Sequence, residues 1–284
     1  MVAKVDISKP WIQVQDKQPD IMRNLNKAAT RVSINGRRHY STPLPVNFAP
    51  SVTTVLSETA SEANKRKLEM WSKANPGVKE AAAERGTAIH YGMEQYLKGN
   101  KEPNIPEEYQ DFWCGMPTIL DQFQEVLWAE TPVDPKFDFT VGADDVARVW
   151  GCDADGRAWA GAPDIIGVVN SKLTLADLKT SVKPYSRNWP KDLEKGSVEW
   201  RDLLGGHLKF KKCCKQLAAY DIAIEQTLGM TVQQAAILVS TPTRTQVFKI
   251  SRNFLNMLRE DWYKILVEYY NQVEEFGESD PDLI

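Results

Sequence analysis

The chain has 284 residues, room for one large or two small domains at about 150 residues each, and enough to bury a core without covalent staples. Hydrophobic residues make up 42% and charged residues 26%, the balance of an ordinary water-soluble protein, and apolar runs such as 235–239 fall far short of the ~20 residues of a membrane span. A net charge of −3 excludes bulk cationic character as the mark of a nucleic-acid partner. The N-terminal residues Lys4, Asp6, Lys9 and Asp16 interrupt any apolar stretch, so no secretory signal and no membrane partner are expected, and the location expected is intracellular. Four cysteines (Cys114, Cys152, Cys213, Cys214) form no CxxC pair, and a chain this long does not need disulfides.

The even average hides a division of charge. Residues 1–40 carry eight Lys/Arg against three Asp, net +5; residues 183–215 carry nine against four acids, again net +5; residues 259–284 carry two against eight, net −6. The acidic end reads as a solvated helix with a frayed tail. Of the basic stretches, the second interleaves Tyr185, Trp189, Trp200 and Phe210 with its lysines. Exposed rings among cations suit single-stranded nucleic acid, because bases stack on them.

In chain order, residues 1–50 lack sustained periodicity, offer one hairpin signal at Asn35-Gly36 and end in Thr42-Pro43-Leu44-Pro45; they read as an irregular basic arm. A single domain is predicted over 51–284, with a helical part at 51–129, a sheet core at 130–250, and a C-terminal helix with acidic tail at 251–284. Residues 51–56 lead into a first helix, and helical spacing recurs at 62–73, 76–97 and 106–128. Prolines near two of those starts and Gly99-Asn100 after the second fit helix punctuation. The period then changes: 141–149 and 158–169 are rich in β-branched residues, and 173–180 alternates. A long polar, aromatic loop is predicted at 185–206, then a helix at 208–228, strands at 234–240 and 246–250, and a closing helix at 253–275. This order predicts an α/β fold with a helical N-terminal elaboration.

The chemistry concentrates on one hairpin. In Asp177-Leu178-Lys179 an acid and a base two apart on a strand project from one face. With Asn170-Ser171 as a two-residue turn, Val169 falls opposite Lys172 and, counting outward, Asp164 falls opposite Asp177, with Cβ atoms about 5 Å apart. A three-residue turn would instead slip the register and move Asp164 to the other face. Opposed carboxylates need neutralising, and hard oxygen ligands of this kind suit Mg²⁺ or Mn²⁺. His90 and Glu94, at i and i+4 on a predicted helix, offer two more metal-directed groups, and Glu130 is a further acid. Gln216 and Tyr220 repeat the i, i+4 spacing, with Lys212 and Lys215 nearby.

Taken in order, Gly161-Ala162-Pro163-Asp164, then Asp177-Leu178-Lys179, then Gln216-Leu217-Ala218-Ala219-Tyr220 resemble the PD-(D/E)xK nucleases of the RecB type. The upstream Arg85-Gly86-Thr87 with His90 and Glu94 is similar to the helical motif those nucleases carry before the sheet. Pro50-Ser51-Val52-Thr53-Thr54-Val55-Leu56 resembles a narrower group, the phage exonucleases related to the mitochondrial genome maintenance exonuclease. The likeness runs over 38–250. It implies a restriction-endonuclease-like core, a mixed central sheet flanked by helices. It also implies a Mg²⁺- or Mn²⁺-dependent deoxyribonuclease, an exonuclease on single-stranded DNA or DNA ends, with an endonuclease or a non-catalytic nucleic-acid-binding relative as alternatives. Site roles follow from the same likeness: metal ligation by Asp164, Asp177 and the Leu178 carbonyl, supported by His90, Glu94 and Glu130; Lys179 as the catalytic lysine; Gln216 and Tyr220 lining the site. Arg85, Lys183, Arg187, Trp189, Lys212 and Lys215, with Trp200 and the arm residues Arg23, Lys27, Arg31, Arg37 and Arg38, are the candidates to contact DNA. The cysteines do not match the clustered C-terminal set of relatives that hold an iron–sulfur cluster, so no cluster is expected. The chain has no GxxxxGK[ST] stretch, so no ATP is expected. A phage-encoded chain of this kind would work in the host cytoplasm.

Overall fold

The computed structural model describes residues 29–42, 44, 46–132, 145–146 and 148–277. Arg23, Lys27 and the rest of 1–28, most of the strand predicted at 141–149, and the acidic end 278–284 lie outside the described residues.

Asn35 and Gly36 both take positive φ, 51° and 73°, the two-residue turn whose twist matches that of the strands it joins. It closes a hairpin of β1 (Ala29–Ile34) and β2 (Arg37–Ser41), and β3 (Phe48–Pro50) pairs on the far side of β2. The described residues of 29–50 therefore form a three-stranded meander, not an irregular arm. The opposed pair Tyr40 and Ala49 is buried, in strands too short to show a period. Ser51 then caps α1 (Val52–Glu58), its hydroxyl accepting from the Thr54 N–H at 3.0 Å.

Helices α2 (Glu62–Ala74) and α3 (Val78–Leu97) occupy the predicted spans, α3 burying Ile89, Met93 and Tyr96. The helix predicted at 106–128 breaks up. A 3₁₀ turn at Glu107–Tyr109, α4 (Gln110–Trp113) and α5 (Met116–Leu120) are followed by strand β4 (Glu125–Ala129). Pro117, in the first turn of α5, has no N–H to continue the α4 ladder. Leu127, Trp128 and Ala129 are buried in this strand.

The remaining elements are β5 (Thr131–Pro132), β6 (Asp145–Val146), β7 (Val149–Cys152), β8 (Ala158–Gly161), β9 (Ile165–Val169), β10 (Lys172–Thr180), α6 (Val198–Leu228), β11 (Gln234–Ser240), β12 (Thr245–Ser251) and α7 (Arg252–Gly277). The main sheet has the order β12-β11-β10-β9-β4-β5. Only its β10–β11 pair is parallel, and α6 is the crossover between them. The fold is thus α/β, a mixed sheet flanked by helices, with smaller sheets β3-β2-β1-β6 and β7-β8 beside it. Alternation splits the core into two layers: Leu173, Leu175, Ile237 and Val239 pack with α6 and α7, whereas Ala176, Leu178, Ala236 and Leu238 pack with α3, α4 and α5. Among the described residues no helix is long and apolar enough to cross a membrane.

Helix α6 starts at Val198 rather than at 208, where spacing predicted it. The Ser197 hydroxyl caps it by accepting from the Trp200 N–H at 3.0 Å, and Gly206, which read as loop, serves packing. A Cβ at Gly206 would stand 2.7 Å from the Pro184 carbonyl oxygen, so glycine lets the helix lie against the preceding loop. Further along, the fully buried Asp221 accepts from Arg252 Nη1 at 2.7 Å and from Arg259 Nε at 2.5 Å, tying α6 to α7. Replacing it by alanine removes the buried acid that two partly buried guanidinium groups share, leaving Arg259 with Glu225 alone and Arg252 without an ion pair among the described residues. Asp221→Ala is expected to destabilise the fold by about 3 kcal/mol, read as a thermal midpoint lower by roughly 10 °C; an unchanged midpoint would show the clamp to be dispensable.

Candidate active site

Asn170 and Ser171 have φ of 50° and 59°, so the hairpin closes in two residues. Val169 pairs with Lys172 and the ladder runs on to Ile165 with Ala176, the register that the two-residue turn predicts. One step beyond its end, Asp164 Oδ2 accepts from the Leu178 N–H at 2.6 Å. Two further bonds hold the same corner: the Trp128 indole N–H donates to the Pro163 carbonyl at 2.8 Å, and the Glu130 N–H to the Asp164 carbonyl at 2.8 Å. Gly161, just upstream, has no room for a side chain, since a Cβ there would stand 2.2 Å from Tyr220 Cε1.

Asp177 and Lys179 share the parity of Leu173 and Leu175, so they face α6. There Lys209, Cys213, Gln216 and Tyr220 recur at i, i+4, i+7 and i+11, one stripe of the helix. The Gln216 side-chain amide donates to the Tyr220 hydroxyl at 2.9 Å, and both residues are buried. Asp177 is fully buried; Lys179 Nζ approaches its Oδ2 to 2.7 Å as an ion pair, yet neither carboxylate oxygen has a hydrogen bond of good geometry. Burial raises the Asp177 carboxyl to about 6 against the opposing pull of Lys179, and burial likewise raises Asp164 against His90 and Lys179. For Lys179 burial works against the charge, but Asp177 and Asp164 prevail and hold the ammonium well above its ordinary pKa. Burial, with the two aspartates, keeps the Tyr220 phenol protonated, and burial pushes the Cys213 thiol up to about 12.

From the other layer, α3 brings His90. Its Nδ1 lies 2.6 Å from Glu130 Oε1 and 3.8 Å from Asp164 Oδ1, and its Nε2 lies 3.1 Å from the Leu178 carbonyl oxygen. Oxygens at both ring nitrogens favour the imidazolium form. Burial opposes that charge, but Asp164 and Glu130 outweigh it and raise the pKa to about 9. Glu130 reaches His90 from a left-handed backbone, φ 56°, a conformation that costs a non-glycine residue about 1 kcal/mol and is typical of functional sites. Ligand atoms of His90, Glu130 and Asp164 lie within 4.8 Å of one another, close enough to hold one cation.

Glu94, predicted to join His90 on a metal, does not stand in that triad. Its carboxylate takes Lys98 Nζ at 2.5 Å, one turn further along α3, because a Glu-to-Lys pair at i, i+4 is the nearer partner. Several of the residues proposed for DNA contact have structural partners. Lys183 pairs with Asp202, and Arg187 donates to the Lys249 carbonyl on β12 and lies over the rings of Phe210 and Phe248. Lys212 and Lys215 sit off the Lys209–Tyr220 stripe, Lys212 in solvent. Trp200 serves the first turn of α6, Arg37 pairs with Glu58 at 2.9 Å, and Arg31 and Arg38 lie on β1 and β2. Trp189 is 54% exposed, standing edge-on to His207 at 5.6 Å between centroids. Arg85 stacks on Phe112 at 4.6 Å.

No protein-family model matches the chain, and no curated protein matches it in sequence. A solved structure does: that of SSO0001, at 16% identity over 76% of each chain, with a TM-score of 0.33. An overlap at that score does not establish a shared fold. The site therefore rests on its own geometry.

Sequence spacing missed three groups. Lys209 and Cys213 lie within the helix predicted at 208–228 and were legible there as members of the Gln216/Tyr220 stripe. Tyr185, buried beside Cys213 and Lys179, comes from a loop and left no periodic signal. The sign of the His90 shift yields a test. A pKa raised from 6.5 to about 9 means that the charged ring stabilises the fold fully below its unfolded value, and that this support is withdrawn as pH rises towards 9. In EDTA, the thermal midpoint of the protein is expected to fall between pH 6.5 and 9, and His90→Gln to flatten that decline; parallel profiles would show His90 to be neutral in the fold.

Proposed function

We propose that the chain is a metal-dependent deoxyribonuclease with a PD-(D/E)xK-type core, hydrolysing phosphodiester bonds from the ends of single-stranded DNA. The observation that carries this reading is Asp177. A fully buried carboxylate that has an ammonium beside it but no hydrogen bond of good geometry is costly, and this one lies near a second buried carboxylate, Asp164. The donor set fits a cation: His90, Glu130 and Asp164 present ligand atoms within 4.8 Å of one another, Asp177 adds a neighbouring carboxylate, and these oxygens suit Mg²⁺ or Mn²⁺, the His90 ring joining them only on giving up its proton. When bound, such an ion lowers the pKa of a water molecule and offsets charge on the scissile phosphate.

The chain's own groups supply the rest. Lys179, kept charged by two aspartates, positions the attacking water or meets the negative charge that develops on the phosphate. Because Gln216 donates to the Tyr220 oxygen, the phenol proton of Tyr220 is free to donate into the site. The exposed ring of Trp189, in the stretch of net charge +5 (nine Lys/Arg, four acids), supports a preference for single strands, since bases stack on such rings and backbone phosphates need cations.

The test is digestion of end-labelled linear single- and double-stranded DNA beside circular single strands, with Mg²⁺, Mn²⁺ or EDTA. Linear strands are expected to be lost only with metal and circles spared, while Asp177→Ala and Lys179→Ala each lower the rate by about 10²–10³ or more. Cut circles would keep the chemistry and make the enzyme an endonuclease. Undiminished digestion by Asp177→Ala would refute the site. In parallel, Mn²⁺ is expected to raise the thermal midpoint of the native chain and leave that of Asp177→Ala unmoved.

A further inference from the structure

Among the described residues, two cations near the site have no acid. Arg85 makes no ion pair among the described residues; its guanidinium lies on the Phe112 ring, and its Nε is buried without a hydrogen-bond partner. Lys209 also makes no ion pair among the described residues, and its Nζ donates to Ser181 Oγ at 3.1 Å, 5.7 Å from the centre of the Tyr185 ring. The fold brings them to one place. Ser181 directly follows β10 and its N–H donates to the Ser240 carbonyl at 2.9 Å at the end of β11. The Ser240 hydroxyl in turn donates to the carbonyl of Phe112, whose ring underlies Arg85. A Cβ on Gly86, next to Arg85, would stand 3.8 Å from Thr180 Oγ1.

Arg85, Lys209 and Ser181 thus meet at the carboxyl end of the parallel β10–β11 pair, the side on which open α/β sheets bind ligands. Lys183, a further cation nearby, is already held by Asp202. Burial lowers the pKa of Lys209, with Arg85 adding repulsion, and burial lowers that of Arg85. Like charges gathered without a counter-charge are the state an anion relieves.

We propose that Arg85, Lys209 and the Ser181 hydroxyl form a phosphate-binding subsite for the nucleic-acid backbone. Ser181 lies two strand residues beyond Lys179, about 7 Å, a distance on the scale of one nucleotide, so the phosphate held here is the neighbour of the one facing Lys179. That placement rests on the nuclease reading; the binding of a phosphodiester does not. The guanidinium supplies planar paired donors and the ammonium a point charge, so the subsite recognises backbone and not base.

The full chain, in EDTA so that nothing is cut, would be titrated with fluorescein-labelled oligothymidylate at a series of KCl concentrations and followed by anisotropy. Arg85→Gln and Lys209→Gln are each expected to weaken binding about tenfold and to reduce the slope of log affinity against log salt by about 0.7. Arg85→Lys should keep most of the slope, a rescue that a purely structural role would not give, and Lys264→Gln on the far helix α7 should change neither quantity. Unchanged slopes in both Gln variants, or no binding by the native chain, would overturn the subsite. Metal-dependent digestion with unchanged slopes would remove the subsite and leave the nuclease; reduced slopes in a chain that digests nothing would remove the nuclease and leave the subsite.

Discussion

The two-residue turn at Asn170-Ser171 is the constraint on which the site depends. Both residues accept left-handed backbone, and in exchange β9 and β10 pair with Val169 against Lys172. One residue more in the turn would exchange the faces of the whole strand. Asp164 would then leave the Leu178 amide, the bond that holds it across the hairpin. Trp128, which holds Pro163, and Gly161, which admits the Tyr220 ring, secure the same corner from the side.

Two fully buried aspartates, Asp221 and Asp177, differ in how their charge is met. Asp221 is met by two arginines whose hydrogen bonds reach both its oxygens, and it ties two helices together. Asp177 has an ammonium at 2.7 Å but no hydrogen bond of good geometry, and it lies beside another acid. Burial in the first case is compensated within the chain. In the second it leaves a carboxylate whose pKa has risen to about 6, an expense that proteins retain where activity needs it.

Helix α6 organises much of what surrounds those acids. As the crossover between the parallel strands it must pass beneath β10, and its stripe of Lys209, Cys213, Gln216 and Tyr220 lines the face that carries Asp177 and Lys179. Gly206 allows it to begin early and to press on the loop after β10, which brings Tyr185 and Lys209 to the strand end. The same helix then turns its other side to α7 through Asp221 and Glu225.

Local spacing in the sequence determined which residues share a face. The alternation of β10, the turn before it and the i, i+4 pair Gln216/Tyr220 were all legible, and so was the mixture of helices and strands. Spacing failed where the partner was distant. It offered Glu94 to His90, although Lys98 takes Glu94 and Glu130, forty residues away, reaches His90 through a left-handed turn. It read 106–128 as one helix because the pull of β9 on β4 lies outside any window of sequence, and it read Gly205-Gly206 as loop because the Pro184 carbonyl that demands a glycine is not a sequence neighbour. Periodicity is a property of a single element and fixes its faces; which faces meet, and which charges are left without a partner, is settled only when the elements pack.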